Sequence, residues 1–391
     1  MSVLARLTAP AAAAAVTTPG ECPLVLGPRG LGTAAARLFQ PGADGLSAPT
    51  PGRPAPDRPT GRAGRAGRAG ASVPHVYCPG PVRDNVALGQ EVNDRLVEWA
   101  EEVGIYAGQY EALSTCDFGR LIMLAHPGSD DPDRLLAVAK VGLALWSTDD
   151  HFVDEEILGA DPQRLGSRLT ICYAAVDPAH LPAAYAPTLE RALREEPVAM
   201  AYRGALAHFS RYASATQLAR LRHEICVMFM AYNQEAEWRR HPRVPPVWEY
   251  LVHRHFNGFL PCIVSIDAVA GYELPPTEFA DPRVRRVFTM AGLACVLLND
   301  VYSRTRESET DTDLPKVISV EQGCAEREAI THSVEIHNEL MHTIEAESAA
   351  LSLLGSPALR RALADIWAWL GGSHEWHATS ARYHHTDGAT R

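Results

Sequence analysis

Apolar positions along this chain recur mostly at intervals of three and four residues, the period of an α-helix, and strand-like alternation is scarce. Val86–Val103 is the first clear helical segment, with an acidic C-terminal half. Phe118–Ala125 is a short apolar helix stopped by Pro127-Gly128. Pro132–Ser147 opens on a proline at a good starting position and is apolar nearly all round, the pattern of a buried helix. Gly159, Asp161 and Pro162 mark a loop. Leu189–Tyr212 and Thr216–Arg239 are long amphipathic segments, and Pro242, Pro245 and Pro246 break the chain after them. Val247–Tyr272 is apolar, but Gly258 and Pro261 in its middle predict a break where backbone groups lose their usual partners. Val284–Arg306, Arg327–Leu354 and Pro357–Trp369 complete the set, the last ended by Gly371-Gly372, and the polar 308–313 stretch reads as a loop. The expectation is an all-α domain of roughly ten helices, too long for a small bundle.

Composition changes the picture at the N-terminus. Residues 1–85 are rich in Ala, Pro and Gly and include the Arg-Ala-Gly repeat of 61–70. Few aromatic or branched residues occur before Tyr77, so this stretch cannot bury enough surface to offset its ordering entropy, and it is expected to be a disordered extension. The domain is then residues 86–391. The extension is formally +5, so the rest carries −16 of the net −11, which argues against nucleic acid as a partner of the folded part. No apolar run is long enough to cross a membrane. The eight cysteines are scattered without CxxC pairs, as expected of reduced thiols in a cytoplasmic protein.

Two polar clusters carry the candidate chemistry. Asn299, Ser303 and Glu307 recur every four residues at the end of an apolar helix, so their oxygens share one face. Such oxygens are hard ligands, suited to Mg²⁺ rather than zinc. Asp149, Asp150, Asp154, Glu155 and Glu156 crowd the end of the apolar Pro132–Ser147 segment, where the helix dipole disfavours them unless cations bind. Facing one another across a bundle, the two clusters would suit Mg²⁺ ions around a diphosphate. Arg254, Arg306 and Arg382 are candidate phosphate partners.

These motifs resemble those of the bacterial class I terpene synthases. Asp149–Glu155 is similar to the family's aspartate-rich motif, Asn299–Glu307 to its NDxxSxxxE triad, and Arg382-Tyr383 to its C-terminal Arg-Tyr pair. Tyr250–Gly258 resembles the segment that senses diphosphate, with Arg254 as sensor, Asn257 as linker and Gly258 as effector. Within the family, Val247–Leu251, Gly271–Pro275 and His337–His342 look like the 2-methylisoborneol synthase branch. The departure is His151-Phe152-Val153, where that branch commonly has Cys-Tyr-Cys.

The resemblance implies a helical bundle around an apolar cavity, and three Mg²⁺ ions. Asp149, Asp150 and Asp154 would serve on one side, and Asn299, Ser303 and Glu307 on the other. Arg254, Arg306, Arg382 and Tyr383 would grip the diphosphate of a prenyl substrate. Trp146, Phe152, Phe256 and Trp376 are aromatic candidates for the cavity wall, where a carbocation would be stabilised. The implied reaction converts 2-methylgeranyl diphosphate to 2-methylisoborneol or 2-methylenebornane. Alternatives are a sesquiterpene synthase acting on farnesyl diphosphate and a non-catalytic prenyl-lipid-binding protein. A metal phosphohydrolase would draw His253, His255, His377, His384 and His385 into the acid clusters, and they stand apart from them. The family often forms homodimers; this composition does not establish one.

Overall fold

The structure, a computed structural model, describes residues 75–153, 162–240, 243–303 and 312–383. Among these residues there is no strand, and no helix is long and apolar enough to cross a membrane. The helices are α1 Val86–Val103, α2 Tyr110–Cys116, α3 Phe118–Ala125, α4 Pro132–Thr148, α5 Pro162–Val176, α6 Ala186–Arg194, α7 Pro197–Phe209 and α8 Ala215–Arg240. They continue with α9 Val247–Phe256, α10 Leu260–Ile263, α11 Ile266–Val269, α12 Pro276–Phe279, α13 Pro282–Ser303, α14 Leu314–Gln322, α15 Glu326–Leu354 and α16 Pro357–Thr379.

Helix α4 is central, as its all-round apolar pattern requires. Leu135, Val138, Val141 and Ala144 are sealed from solvent between α1, α3 and α7. Its start is fixed by the Asp131 carboxylate, which accepts from the backbone N–H groups of Asp133 and Arg134, with Pro132 in the first turn. Helix α13 forms the opposite wall against α9, α10, α15 and α16.

Three expectations need correction. Leu189–Tyr212 is two helices, α6 and α7, because Pro197 starts a new helix whose Val198 N–H is capped by Glu196. Helix α16 does not stop at Gly371-Gly372. A Cβ on Gly372 would lie 2.4 Å from the Leu124 backbone, and one on Gly371 would lie 2.6 Å from the Gly80 carbonyl oxygen. Both glycines therefore permit close packing of α16 on α3 and on the chain before α1, rather than ending the helix. That preceding chain is the third correction. Residues 75–85, placed by composition in the disordered extension, run as a docked strap. Tyr77 stacks on His342 at 3.9 Å and donates to Glu345 at 2.7 Å, while Arg83 donates to the Met123 and Ser129 carbonyls, each at 2.8 Å.

Candidate active site

The first carboxylates stand where α4 ends. Instead of stopping cleanly, the helix widens into a π turn over Asp149–Val153, a distortion that is frequent at functional sites. Its consequence is that neighbouring aspartates border different spaces. Asp149 lines an inner cavity. Asp150 lines a wider outer recess, together with Tyr106, His151 and Arg382. There the Tyr106 hydroxyl donates to Asp150 at 2.6 Å, and the Arg382 guanidinium stands 4.0 Å from the same carboxylate. The sequence groups the two aspartates as equal ligands; the fold separates them.

The inner cavity draws its lining from four directions. α4 supplies Leu145, Trp146 and Asp149, and α8 supplies Met228 and Tyr232. The α9–α10 region supplies Arg254, Asn257, Gly258, Phe259 and Cys262, while Val296 and Asn299 come from α13. Asp149 and Asn299, 150 residues apart in the chain, thus face one apolar space. Ser303 lies one turn beyond Asn299 on α13 and is nearly buried. Asp154, Arg306 and Glu307 lie outside the described residues. Among the described residues, no cluster of three or more His, Cys, Asp or Glu forms a metal site.

The break foreseen at Gly258 is present: α9 ends at Phe256, and α10 begins at Leu260 with Pro261 in its first turn. A Cβ on Gly258 would approach the Val296 side chain to 3.2 Å, so the glycine lets the break lie against α13. Arg254 spans the break. It donates through Nη1 to the Asn257 carbonyl at 3.2 Å, and through Nε and Nη2 to Asp300 at 2.9 and 2.6 Å. Burial opposes its charge, but Asp300, Tyr250 and Glu235 raise its pKa well above the ordinary guanidinium value, so it stays cationic. Asn257 donates to Glu235 at 2.6 Å. Asp300 is the functional neighbour that ligand spacing misses. It follows Asn299, a rotation of about 100° on a helix, and so points to the far side, where Tyr250 also donates to it at 2.7 Å.

Behind the cavity lining, α16 packs aromatic rings against Trp146 and Phe259. Trp376 is fully buried and donates to the Cys116 and Asp117 carbonyls at 3.1 and 3.0 Å. Its ring lies 5.5 Å from Phe118 and 6.3 Å from Trp146. His377 stacks on Tyr383 at 5.0 Å, and burial pushes its pKa down to about 3, leaving the ring neutral. Asn299 Nδ2 lies 2.8 Å from the Tyr383 hydroxyl and 3.2 Å from His377 Nε2. Arg382 is half-buried, and its buried Nε lacks a hydrogen-bond partner among the described residues.

Three expected cavity aromatics do not line the cavity: Phe152, Phe256 and Trp376, the last fully buried behind Trp146 at 6.3 Å. Phe152 is sealed in the core beneath the Arg168 guanidinium at 4.5 Å, because the π turn carries it away from the cavity. Phe256, the last residue before the break, is 39% exposed. Phe259, which the sequence reading passed over, takes the place at the wall, 5.7 Å from Trp146.

Comparison with known proteins agrees with this arrangement. Residues 140–343 match the model of terpene synthase family 2, C-terminal metal binding. The 2-methylisoborneol synthase of Streptomyces ambofaciens is 36% identical, over 91% of this chain and 80% of that protein. That of Saccharopolyspora erythraea is 37% identical, over 79% and 89%. The crystal structure of Streptomyces coelicolor A3(2) 2-methylisoborneol synthase, in complex with Mg²⁺ and 2-fluoroneryl diphosphate, superposes with a TM-score of 0.77 at 35% identity. It covers 81% of this chain and 99% of that one. The same enzyme in complex with Mg²⁺ and geranyl-S-thiolodiphosphate gives a TM-score of 0.74. The chain belongs to the class I terpene synthases, and is a terpene cyclase similar to the 2-methylisoborneol synthase branch.

Proposed function

We propose that the chain is a Mg²⁺-dependent cyclase that ionises 2-methylgeranyl diphosphate and closes it to a methylated bornane-type monoterpenoid, 2-methylisoborneol or 2-methylenebornane, with release of diphosphate. The observation that carries the reading is the shared cavity: a carboxylate, an amide and a half-buried cation, Asp149, Asn299 and Arg254, around one aromatic-lined space. Relatives whose solved structures hold Mg²⁺ and prenyl diphosphate analogues support the ligands. So does the donor set, which is oxygen on both walls and suits a hard cation. His151-Phe152-Val153 leaves the branch reading intact, since none of the three lines the inner cavity. The catalytic domain in this reading includes the 75–85 strap.

Asp149, with Asp154, would hold two of three ions, and Asn299, Ser303 and Glu307 the third. Bound there, the metal supplies Lewis-acid stabilisation of the departing diphosphate. Arg254, Arg306, Arg382 and Tyr383 bind and orient the diphosphate oxygens, and their fixed charges favour bond cleavage over the intact ester. Arg382 offers its buried, unpartnered Nε for this. Arg254 must trade part of its bonding to Asp300 for phosphate oxygen, which links substrate arrival to the break at Gly258. Trp146 and Phe259 present ring surface that stabilises the allylic cation and excludes water while it cyclises, with Trp376 packed behind Trp146.

The test is mass spectrometry of volatiles after incubation with geranyl, 2-methylgeranyl and farnesyl diphosphates and Mg²⁺. Preferred turnover of the 2-methylgeranyl ester is expected. Turnover of farnesyl diphosphate alone would replace this reading by a sesquiterpene synthase. Asn299→Ala should abolish diphosphate release in a protein that stays folded.

A further inference from the structure

His377 has no part in the chemistry above, yet it is fully buried against the amide that both the ladder and the cavity single out. Its ring is fixed at both nitrogens. Nδ1 lies 2.7 Å from the Ser373 carbonyl oxygen one turn earlier on α16, and the Ser373 hydroxyl is the longer contact at 3.4 Å. A carbonyl only accepts, so Nδ1 carries the proton and Nε2 presents a lone pair. That lone pair faces Asn299 Nδ2 at 3.2 Å. The other Nδ2 hydrogen is directed to the Tyr383 hydroxyl at 2.8 Å. With both amide hydrogens engaged, Oδ1 lies on the opposite side of the group. Flipping the amide would set Oδ1 against the imidazole lone pair and lose a hydrogen bond in a buried place. The ring cannot turn away. Tyr383 stacks on it at 5.0 Å, and Trp376 and Phe259 meet it edge-on at 5.0 and 5.9 Å.

We infer that His377 is a positioning residue: the Ser373 carbonyl fixes its tautomer, and its Nε2 fixes the Asn299 amide with oxygen, rather than nitrogen, offered to the cation. The inference rests on the reading of Asn299 as a Mg²⁺ ligand. It also explains why a histidine is needed at this member of the ladder. Serine and glutamate present oxygen however they turn, whereas an amide has a wrong end.

The test is titration calorimetry of Mg²⁺ into the full chain with inorganic diphosphate, which reads binding without turnover. His377→Phe keeps a ring and removes the acceptor. It should weaken Mg²⁺ binding about tenfold, the usual order for losing a partner that orients a metal ligand. In an Asn299→Asp background, whose carboxylate is symmetric, the same replacement should change affinity less than threefold. A structural role alone would cost the same in both backgrounds. A loss under threefold in the Asn299 protein, or equal losses in the two, overturns the inference. Should the Phe variant not fold, His377→Gln replaces it. Its side-chain oxygen can accept from Asn299, so affinity within threefold of the parent is expected, and a loss of threefold or more overturns the inference. Failure of the unaltered chain to bind Mg²⁺ with diphosphate would instead sink the reading of the site itself.

Discussion

At Asp149 and Asp150 two adjacent carboxylates serve different spaces, and the residues after them follow the same logic. Of His151, Phe152 and Val153, only the histidine borders an opening, the outer recess; the other two are sealed in the core. The residues that depart most visibly from the branch pattern therefore stand outside the lining of the inner cavity. Replacing them together by Cys-Tyr-Cys should leave the product profile unchanged, as read by gas chromatography of the volatiles. A new product mixture would show that this turn reaches the cavity after all. Arg254 and Asp300 make the complementary point. Arginine four residues before Gly258 is visible in the sequence, but its counter-ion is hidden, because a residue adjacent to a ligand in sequence faces away from it on a helix.

Helices are where the sequence was most readable, and where it misled in an instructive way. α1, α3, α4 and α15 fall within about a residue of where apolar spacing and caps put them. α5 was passed over although Leu165, Leu169, Cys172 and Val176 are buried at helical spacing, because Gly166 and the polar residues around it hid the stripe. α16 was cut short at Gly371-Gly372. Glycine is read as a helix stop from its conformational freedom, but here it is selected by the closeness of the neighbouring backbone, which no single sequence reports. Gly372→Ala should therefore destabilise the protein despite alanine's better helix propensity. A Cβ 2.4 Å from the Leu124 backbone cannot be relieved by moving a side chain. The loss should be about 1–3 kcal/mol or more, seen as a lower Tm in a circular dichroism melt, and a raised Tm would contradict the packing described.

For the molecule as a whole, the fold class and part of the candidate site are legible because both rest on periodicity: a 3.6-residue apolar repeat, and the four-residue spacing that sets Ser303 one turn beyond Asn299 on α13. What was not legible depends on distant parts of the chain meeting, namely Phe259 taking the wall, the Tyr106–Asp150 bond and the strap over α15 and α16. The same burial that builds this interior sets its response to acid. Desolvation lowers the pKa of His126 to about 3 and of His337 to about 4, against about 6.5 in an unfolded chain. Below pH 6.5 the unfolded state takes up protons that the folded state refuses, so stability falls as pH falls toward those lower values. Each of the two should cost about 1.4 kcal/mol per pH unit in that window. The Tm should drop between pH 6.5 and 5, before ordinary carboxylates titrate, and His126→Gln should flatten part of the slope.

The glycine contacts of α16 have one more consequence. The same helix that is pressed against the Leu124 and Gly80 backbones carries Trp376 and His377 about one turn further on and leads directly to Arg382 and Tyr383. Its depth at one end thus sets where His377 and Tyr383 meet Asn299 at the other. Gly371 and Gly372 are themselves buried, so a side chain added at either would displace a helix that meets Asn299 through His377 little more than a turn later.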